Sequence, residues 1–482
     1  MRLRAVLLLA LLAAIAACGS DVDPACEAPS GQRCAGNTIV TCTNDVVTKR
    51  DCGAEQLECG YVDTTTGYSC VAEACDFVGP LGRCVGSTLT RCTAGALTNA
   101  TCGDGQVCAY VDDLTGYGCR AGAESAVVSG EIRYQDRPQT GQGPIGAVQS
   151  QPVRGVTVTV IDDASQQVLA TVITADNGSY VARFTATTGA MVHVTAVARS
   201  LSKGRPITVV NGANAVHGFG SPSFAVAAET TIDLLVTEAS NEAEAFNVFD
   251  QAVNCMDKLT GDLAVLAPSA LRLRWVRGSQ DGTYYGGGTV HLLGAASDDD
   301  GYDDTVIMHE IGHFVEDTIG RSDSPGGGHN GAPTDPRLAW SEGYATYWAQ
   351  SVSGQPIYSD SNSGGGFFEN IDTEVRRASG TGLAQPISES TVSEILWDLG
   401  DAAAPDDDLQ TATTLADVNR VQPAYLKVAA LRNAGAAGVD LVDFLDGWFK
   451  LQGLSSCAAA KDIVTAKRNF PYDYAGPGGA CP

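Results

Sequence analysis

The spacing of apolar and polar positions changes character several times along this chain. Residues 5–17 are an unbroken apolar run. Between 26 and 119 apolar residues are sparse and cysteines punctuate a polar sequence. From 127 to 237 short alternating or β-branched runs (128–134, 156–161, 168–174, 180–184, 191–197) predict strands, with Asp162-Asp163 and Asp176-Asn177-Gly178 as turns between them. From 238 the period becomes helical: 238–259 places Ala245, Phe246, Phe249 and Val253 on one side. Strands are expected at 271–276 and 289–293, and a glycine-rich loop at 362–367. Further helices are expected at 391–399, 419–433 and 441–451. The predicted fold class is multidomain: small disulfide-rich repeats (26–70 and 75–119), an all-β sandwich (127–237), then an α+β domain with a helical C-terminal lobe (238–482).

The clearest helix carries the chemistry. Asp303 or Asp304 can cap it and Gly320 can end it, while Met308, Ile311, Val315 and Ile319 form an apolar stripe that turns the other face to a cleft. That helix contains His309-Glu310-Ile311-Gly312-His313. Histidines four apart lie on one face about a turn apart and can share one metal, for which zinc is favoured. Glu310 then sits beside the open coordination position as a general base. Gly312 in a helix interior predicts close approach of another backbone or of the metal. A second helix is expected to start at Asp335-Pro336 and to carry Trp340, Glu342, Tyr344, Tyr347 and Trp348.

His309-Glu-x-x-His313 with Trp340-Ser341-Glu342-Gly343-Tyr344-Ala345 resembles the gluzincin metallopeptidases, in which a glutamate on the next helix completes the site. The resemblance implies a zincin-like fold, with His309, His313 and Glu342 as Zn2+ ligands, Glu310 as base, and a protein or peptide substrate. It also makes the strand at 289–293 similar to the edge strand on which gluzincins lay a substrate. The chain departs from the pattern in three places. Thr346 stands where thermolysin-like members have aspartate, no histidine follows His329, and the His313–Glu342 spacing is long and glycine-rich. His329, Tyr344 and Tyr347 are candidates for the oxyanion donor or the cleft wall, with His329 as plain surface the competing reading. Asp335 keeps an aspartate ligand open. Ile319 in place of a third histidine departs from the metzincin pattern. Asp298, Asp299, Asp300, Asp303 and Asp304 around Gly301 read as a solvated turn, with calcium binding as the other reading.

Ahead of these elements, Arg2 and Arg4 before the run at 5–17 make 1–17 an export signal too short to span a bilayer. Ile15-Ala16-Ala17-Cys18 resembles the lipobox of bacterial lipoproteins, which implies acylation of Cys18, a lipidated tether over 18–25 and, with Gly19 following, an outer-membrane destination facing periplasm or cell surface. The cysteines at 26, 34, 42, 52, 59 and 70 recur nearly in register at 75, 84, 92, 102, 108 and 119. In an exported segment with little core these read as disulfides, with no connectivity deducible. Cys457 and Cys481 are a candidate pair, which leaves Cys255 over. The sandwich, whose 152–158 and 174–180 segments resemble the regulatory or transthyretin-like domains attached to peptidases, reads as structural.

Charge changes the picture only by exclusion. A net charge of −26 argues against nucleic acid and against adsorption to anionic lipid. The reading is an exported, membrane-tethered zinc metallopeptidase. Its rival is a surface binding or adhesion lipoprotein that keeps the peptidase fold without turnover.

Overall fold

The computed structural model describes residues 32–475 except 36–37, 44–45, 53, 55–57, 64–66, 72–81, 86, 94–95, 104–105, 113–115, 122–125, 140–145, 187–188, 364, 376–383, 402–408, 410, 430, 432–433 and 453–455. The expected signal 1–17, Cys18 and its tether, and Cys26, Cys75 and Cys481 lie outside them. No helix among the described residues is long and apolar enough to cross a membrane.

Each cysteine-rich repeat folds as small antiparallel sheets: Gln32–Ala35, Thr38–Thr43 and Val46–Asp51 in the first, Arg83–Val85, Thr88–Thr93 and Ala96–Thr101 in the second. Disulfides join Cys52 to Cys70, Cys84 to Cys108 and Cys102 to Cys119. Cys52–Cys70 and Cys102–Cys119 connect the same repeat positions, so the register seen in sequence is also a register of cross-links. The second repeat docks on the following β-region through Tyr117 and Thr171, whose hydroxyls lie 2.6 Å apart.

The sandwich strands form where alternation places them. One sheet runs Gln149–Pro152, Ala126–Asp136, Ser179–Phe184; the facing one runs Val168–Ile173, Thr157–Asp162, Met191–Val197, Gly218–Gly220. Val128, Ile132, Val158, Val160, Phe184, Val192 and Val194 point between the sheets and are buried, as period-two patterning requires.

The expected boundary at 237 is not a boundary in the core. Strand Ile207–Val210 leaves the sandwich and pairs in parallel with Leu271–Trp275, which is followed by Thr289–Leu292 and Tyr284–Gly286. All four residues of Ile207–Val210 are buried, so the run is hydrophobic on both faces, as a parallel strand covered on both sides must be. One continuous apolar core spans both regions. The same order corrects a second expectation: Thr289–Leu292 is interior and Tyr284–Gly286 is the edge strand.

Helix α1 (Ala243–Leu263) covers this sheet. Helix α2 (Asp304–Thr318) holds the HExxH motif and crosses helix α3 (Pro336–Ser353) very closely. A Cβ on Gly312 would lie 2.8 Å from Ala345 Cα, so the glycine admits the backbone of α3. Helix α4 (Glu389–Gly400) approaches α3 in the same way, where a Cβ on Gly343 would lie 2.4 Å from Val392 Cβ.

The C-terminal lobe is less regular than its period suggests. The helix expected over 419–433 is a short helix Leu415–Asn419 and then a wide turn, Gln422–Leu426, closed by Lys427 N donating to Gln422 O at 3.1 Å. Pro423 lacks the N–H an α-helix needs there. Helix α5 (Leu441–Gln452) forms as expected. Of the expected loop 362–367, the described residues before 367 lie between the strands of a hairpin, Ile357–Ser361 with Phe367–Asp372. Cys457 is disulfide-bonded, and Cys255 is a buried free thiol.

Candidate metal centre

The close α2–α3 crossing brings two local patterns together. His309 and His313 lie one turn apart on α2, and Glu342 enters from the second turn of α3. Glu342 Oε2 is 3.2 Å from His309 Nε2 and 3.1 Å from His313 Nε2. Three ligand atoms from His309, His313 and Glu342 lie within 4.8 Å of one another. Tetrahedral zinc with bonds of 2.0–2.1 Å would space its ligands about 3.3 Å apart, and the nitrogen–oxygen separations here are of that size. Two imidazoles and a carboxylate suit zinc by chemistry as well as by spacing.

Each imidazole is oriented from behind. His309 Nδ1 is 3.2 Å from Thr346 Oγ1, one turn beyond Glu342 on α3. Thr346, a departure from the thermolysin-like pattern in sequence, occupies an orienting place in space. His313 Nδ1 faces the buried carboxylate of Glu316 at 3.4 Å, and Ser341 donates to that carboxylate at 2.6 Å. Such contacts behind a metal-binding histidine select its tautomer and ring plane. Glu316 lies outside any motif and Ser341, though inside the Trp340–Gly343 motif, has no role assigned there; their i+3 and i−1 positions beside His313 and Glu342 are the available clue.

The charges here are tightly interlocked. Burial works against protonation of His313, yet the Glu316 and Glu342 carboxylates hold its pKa well above the ordinary range. Burial also opposes ionisation of Glu342, but contacts from both histidines keep that carboxyl far below its usual range. Glu310 is pushed the other way, upward by burial, with the imidazoles offsetting part of the effect. Its Oε2 is buried with no hydrogen-bond partner among the described residues. A raised, partly unsatisfied carboxylate facing a cleft is suited to taking up a proton.

That cleft has a volume of about 790 Å³ and is lined by the edge strand Tyr284–Gly286, by Glu310, His313, Glu316 and Asp317 of α2, and by the loop through Gly327 and His329. His329 therefore lines the cleft instead of forming plain surface. Its Nε2 is 3.5 Å from Glu342 Oε2, and its Nδ1 is 2.9 Å from a carboxylate oxygen of Glu389 on α4. The Glu389 carboxylate raises the pKa of His329 against the effect of burial.

Three sequence expectations fail at this site. Tyr344 and Tyr347 are fully buried and absent from the cleft wall; Tyr347 donates to Leu415 O at 2.9 Å, and Tyr344 stacks on Trp340. They sit two and five residues past Glu342, on helix faces turned from it. Asp335 is not among the clustered ligand atoms, because its carboxylate caps α3 at Arg337 N (2.9 Å) and pairs with the Arg337 guanidinium. The aspartates before α2 are not a solvated turn: Asp300 and Asp303 are buried. Asp298, Asp300 and Asp360 bring oxygens within 4.8 Å of one another, and burial raises Asp300 to about 9 and Asp360 to about 7.

Residues 254–467, under half of the chain, match the Mycolysin C-terminal domain family. That match covers α2, α3 and the cleft and supports a zinc metallopeptidase acting on protein or peptide. No curated protein matches the chain. Among solved structures, a 9R-lipoxygenase from Cyanothece PCC8801 aligns with 9% identity over 30% of this chain and 25% of its own, at a TM-score of 0.15, too low to bear on fold or function.

Proposed function

We propose that this chain is an exported, membrane-tethered zinc metallopeptidase, with His309, His313 and Glu342 holding zinc and Glu310 as general base. The observation that carries the reading is the convergence of two imidazole nitrogens and one carboxylate oxygen at the wall of a cleft that Glu310 also lines. The similarity of residues 254–467 to the Mycolysin C-terminal domain supports the same class. Tethering rests on Cys18 and the apolar run before it.

Zinc bound there would supply Lewis-acid polarisation of the scissile carbonyl and of the attacking water. Glu310 takes the proton of that water and passes it to the leaving amine, a task favoured by the upward push of burial on its pKa. Thr346 and the Glu316–Ser341 pair hold the two imidazoles in plane. The edge strand Tyr284–Gly286 offers one wall along which an extended peptide can lie.

The test is zinc per chain in the protein beginning at Gly19, with Glu342→Ala and Glu310→Gln alongside. The reading expects about one zinc in the parent, a sharply weakened site in Glu342→Ala, and retained zinc without peptide hydrolysis in Glu310→Gln. A parent that takes up no zinc after reconstitution would instead favour a binding protein.

A further inference from the structure

Helix α2 does not cap itself. Its N-cap residue, Asp303, makes no side-chain bond to the helix's own first turn. The Asp303 carboxylate instead accepts from Ser361 N at 3.0 Å and Ser361 Oγ at 2.7 Å. The first-turn amide of Thr305 would then be an orphan donor at a buried helix end. It is satisfied from far away in sequence: Thr305 N donates to Gln139 Oε1 at 2.9 Å, and Thr305 Oγ1 makes a second 2.9 Å bond to the same oxygen.

Gln139 lies just beyond the long sandwich strand Ala126–Asp136. Its amide nitrogen donates to Asp303 Oδ1 at 3.1 Å and to Ser359 O at 2.7 Å. One side chain thus ties the sandwich to the start of α2 and to the hairpin that follows α3. This junction leads directly to the proposed metal centre. Thr305 lies one turn before His309 on α2. Ser359 is next to Tyr358, whose ring packs 5.4 Å from the His309 ring, centroid to centroid. Thr305 Oγ1 also contacts Ser359 N at 3.0 Å, so the two routes are cross-braced.

We infer that Gln139 is a positioning residue for His309, through which the β-sandwich sets the first turn of α2 and the Tyr358 wall of the metal centre. This rests on the zinc-peptidase reading and extends it: the sandwich is a working part of the catalytic unit. Neighbouring contacts make the same junction. Tyr302 donates to Gln135 O at 3.0 Å, Tyr134 to Asn247 Oδ1 at 3.3 Å, and Arg137 pairs with Glu238. Asn247 also reaches the first turn, donating to Asp304 Oδ1 at 2.9 Å, but Gln139 is the one of these residues that accepts from a first-turn backbone amide.

The experiment compares the parent protein from Gly19 with Gln139→Ala, Gln139→Glu and, as control, Arg137→Ala, which breaks a junction contact without touching α2. Zinc affinity is read by chelator competition, and kcat and KM are measured at saturating zinc. Gln139→Ala is expected to weaken zinc about tenfold to a hundredfold and to lower kcat with KM little changed. Gln139→Glu keeps the acceptor for Thr305 but sets a carboxylate oxygen against Asp303 Oδ1 and Ser359 O in place of both donors, and should weaken zinc at least as much as Gln139→Ala. Arg137→Ala should bind zinc like the parent. Parental zinc affinity in Gln139→Ala, or equal weakening in Arg137→Ala, overturns the inference. Should Gln139→Ala not fold, Gln139→Glu decides it: weaker zinc binding supports the inference and parental binding overturns it. A parent that binds no zinc overturns the metallopeptidase reading instead.

Discussion

Thr346 Oγ1 lies 3.2 Å from Nδ1 of His309, on the far side of the ring from Glu342. If Nε2 holds zinc as proposed, Nδ1 carries the proton and donates to the threonine hydroxyl. Removing that acceptor at constant shape should cost metal affinity more than stability. Thr346→Val is expected to weaken zinc by about tenfold, measured by chelator competition. Unchanged affinity would show that α3 packing alone orients His309.

Gly312 should tolerate no side chain. A Cβ there would press on Ala345 Cα at 2.8 Å and on Trp348 Cβ at 3.2 Å, and both are backbone or near-backbone atoms with little freedom. Gly312→Ala gains helix propensity worth about 1 kcal/mol, but overpacking at a helix crossing costs about 1–3 kcal/mol. The net expectation is a lower Tm in thermal unfolding together with weaker zinc binding, since the same crossing sets the His313–Glu342 spacing. A rise in Tm would contradict it.

Burial sets a pH dependence before α2. The folded-state pKa of Asp300, about 9, lies above its unfolded value, so the folded protein holds that proton more tightly. The stability it contributes is fully present below about pH 4 and is lost as pH rises through about 9. Asp300→Asn removes the titration while keeping an acceptor for the Thr283 hydroxyl. Its Tm should exceed that of the parent at pH 8, by an amount on the order of a few kcal/mol in stability, and the gap should narrow at pH 5. A lower Tm at pH 8 is the contrary result.

The buried tyrosines of α3 should be catalytically silent. Tyr344→Phe removes a hydroxyl that has no hydrogen-bond partner among the described residues and should leave kcat/KM within about twofold and Tm unchanged or higher. Tyr347→Phe loses the bond to Leu415 O and should cost about 1 kcal/mol in unfolding free energy with the same kinetics. A hundredfold fall in kcat for either would return the hydroxyl to the reaction.

Much of this protein was legible in local periodicity. Strands at 128–134 and 191–197 and helices at 391–399 and 441–451 appear within a few residues of expectation, because alternation and helical stripes are properties of contiguous sequence. The expected helix over 419–433 failed where Pro423 interrupts a helical pattern, a local signal outweighed by period. The strand Ile207–Val210 was missed as part of the second sheet because four buried residues show no alternation and no sequence neighbour reveals their partner.

The sequence by itself determined the chemistry on each helix: the four-residue spacing of His309 and His313, Glu310 between them, and Glu342 behind the Asp335-Pro336 start of the next helix. Those are short-range relations fixed by 1.5 Å of rise and 3.6 residues per turn. Only the tertiary structure decided that His329 joins the cleft wall while Tyr344 and Tyr347 turn into the core, that Thr346 and Glu316 stand behind the histidines, and that Gln139 closes the first turn of the motif helix. Those pairings depend on how glycines 312 and 343 let helices approach and on where the sandwich meets them. They are packing relations between segments up to 166 residues apart, which local pattern does not encode.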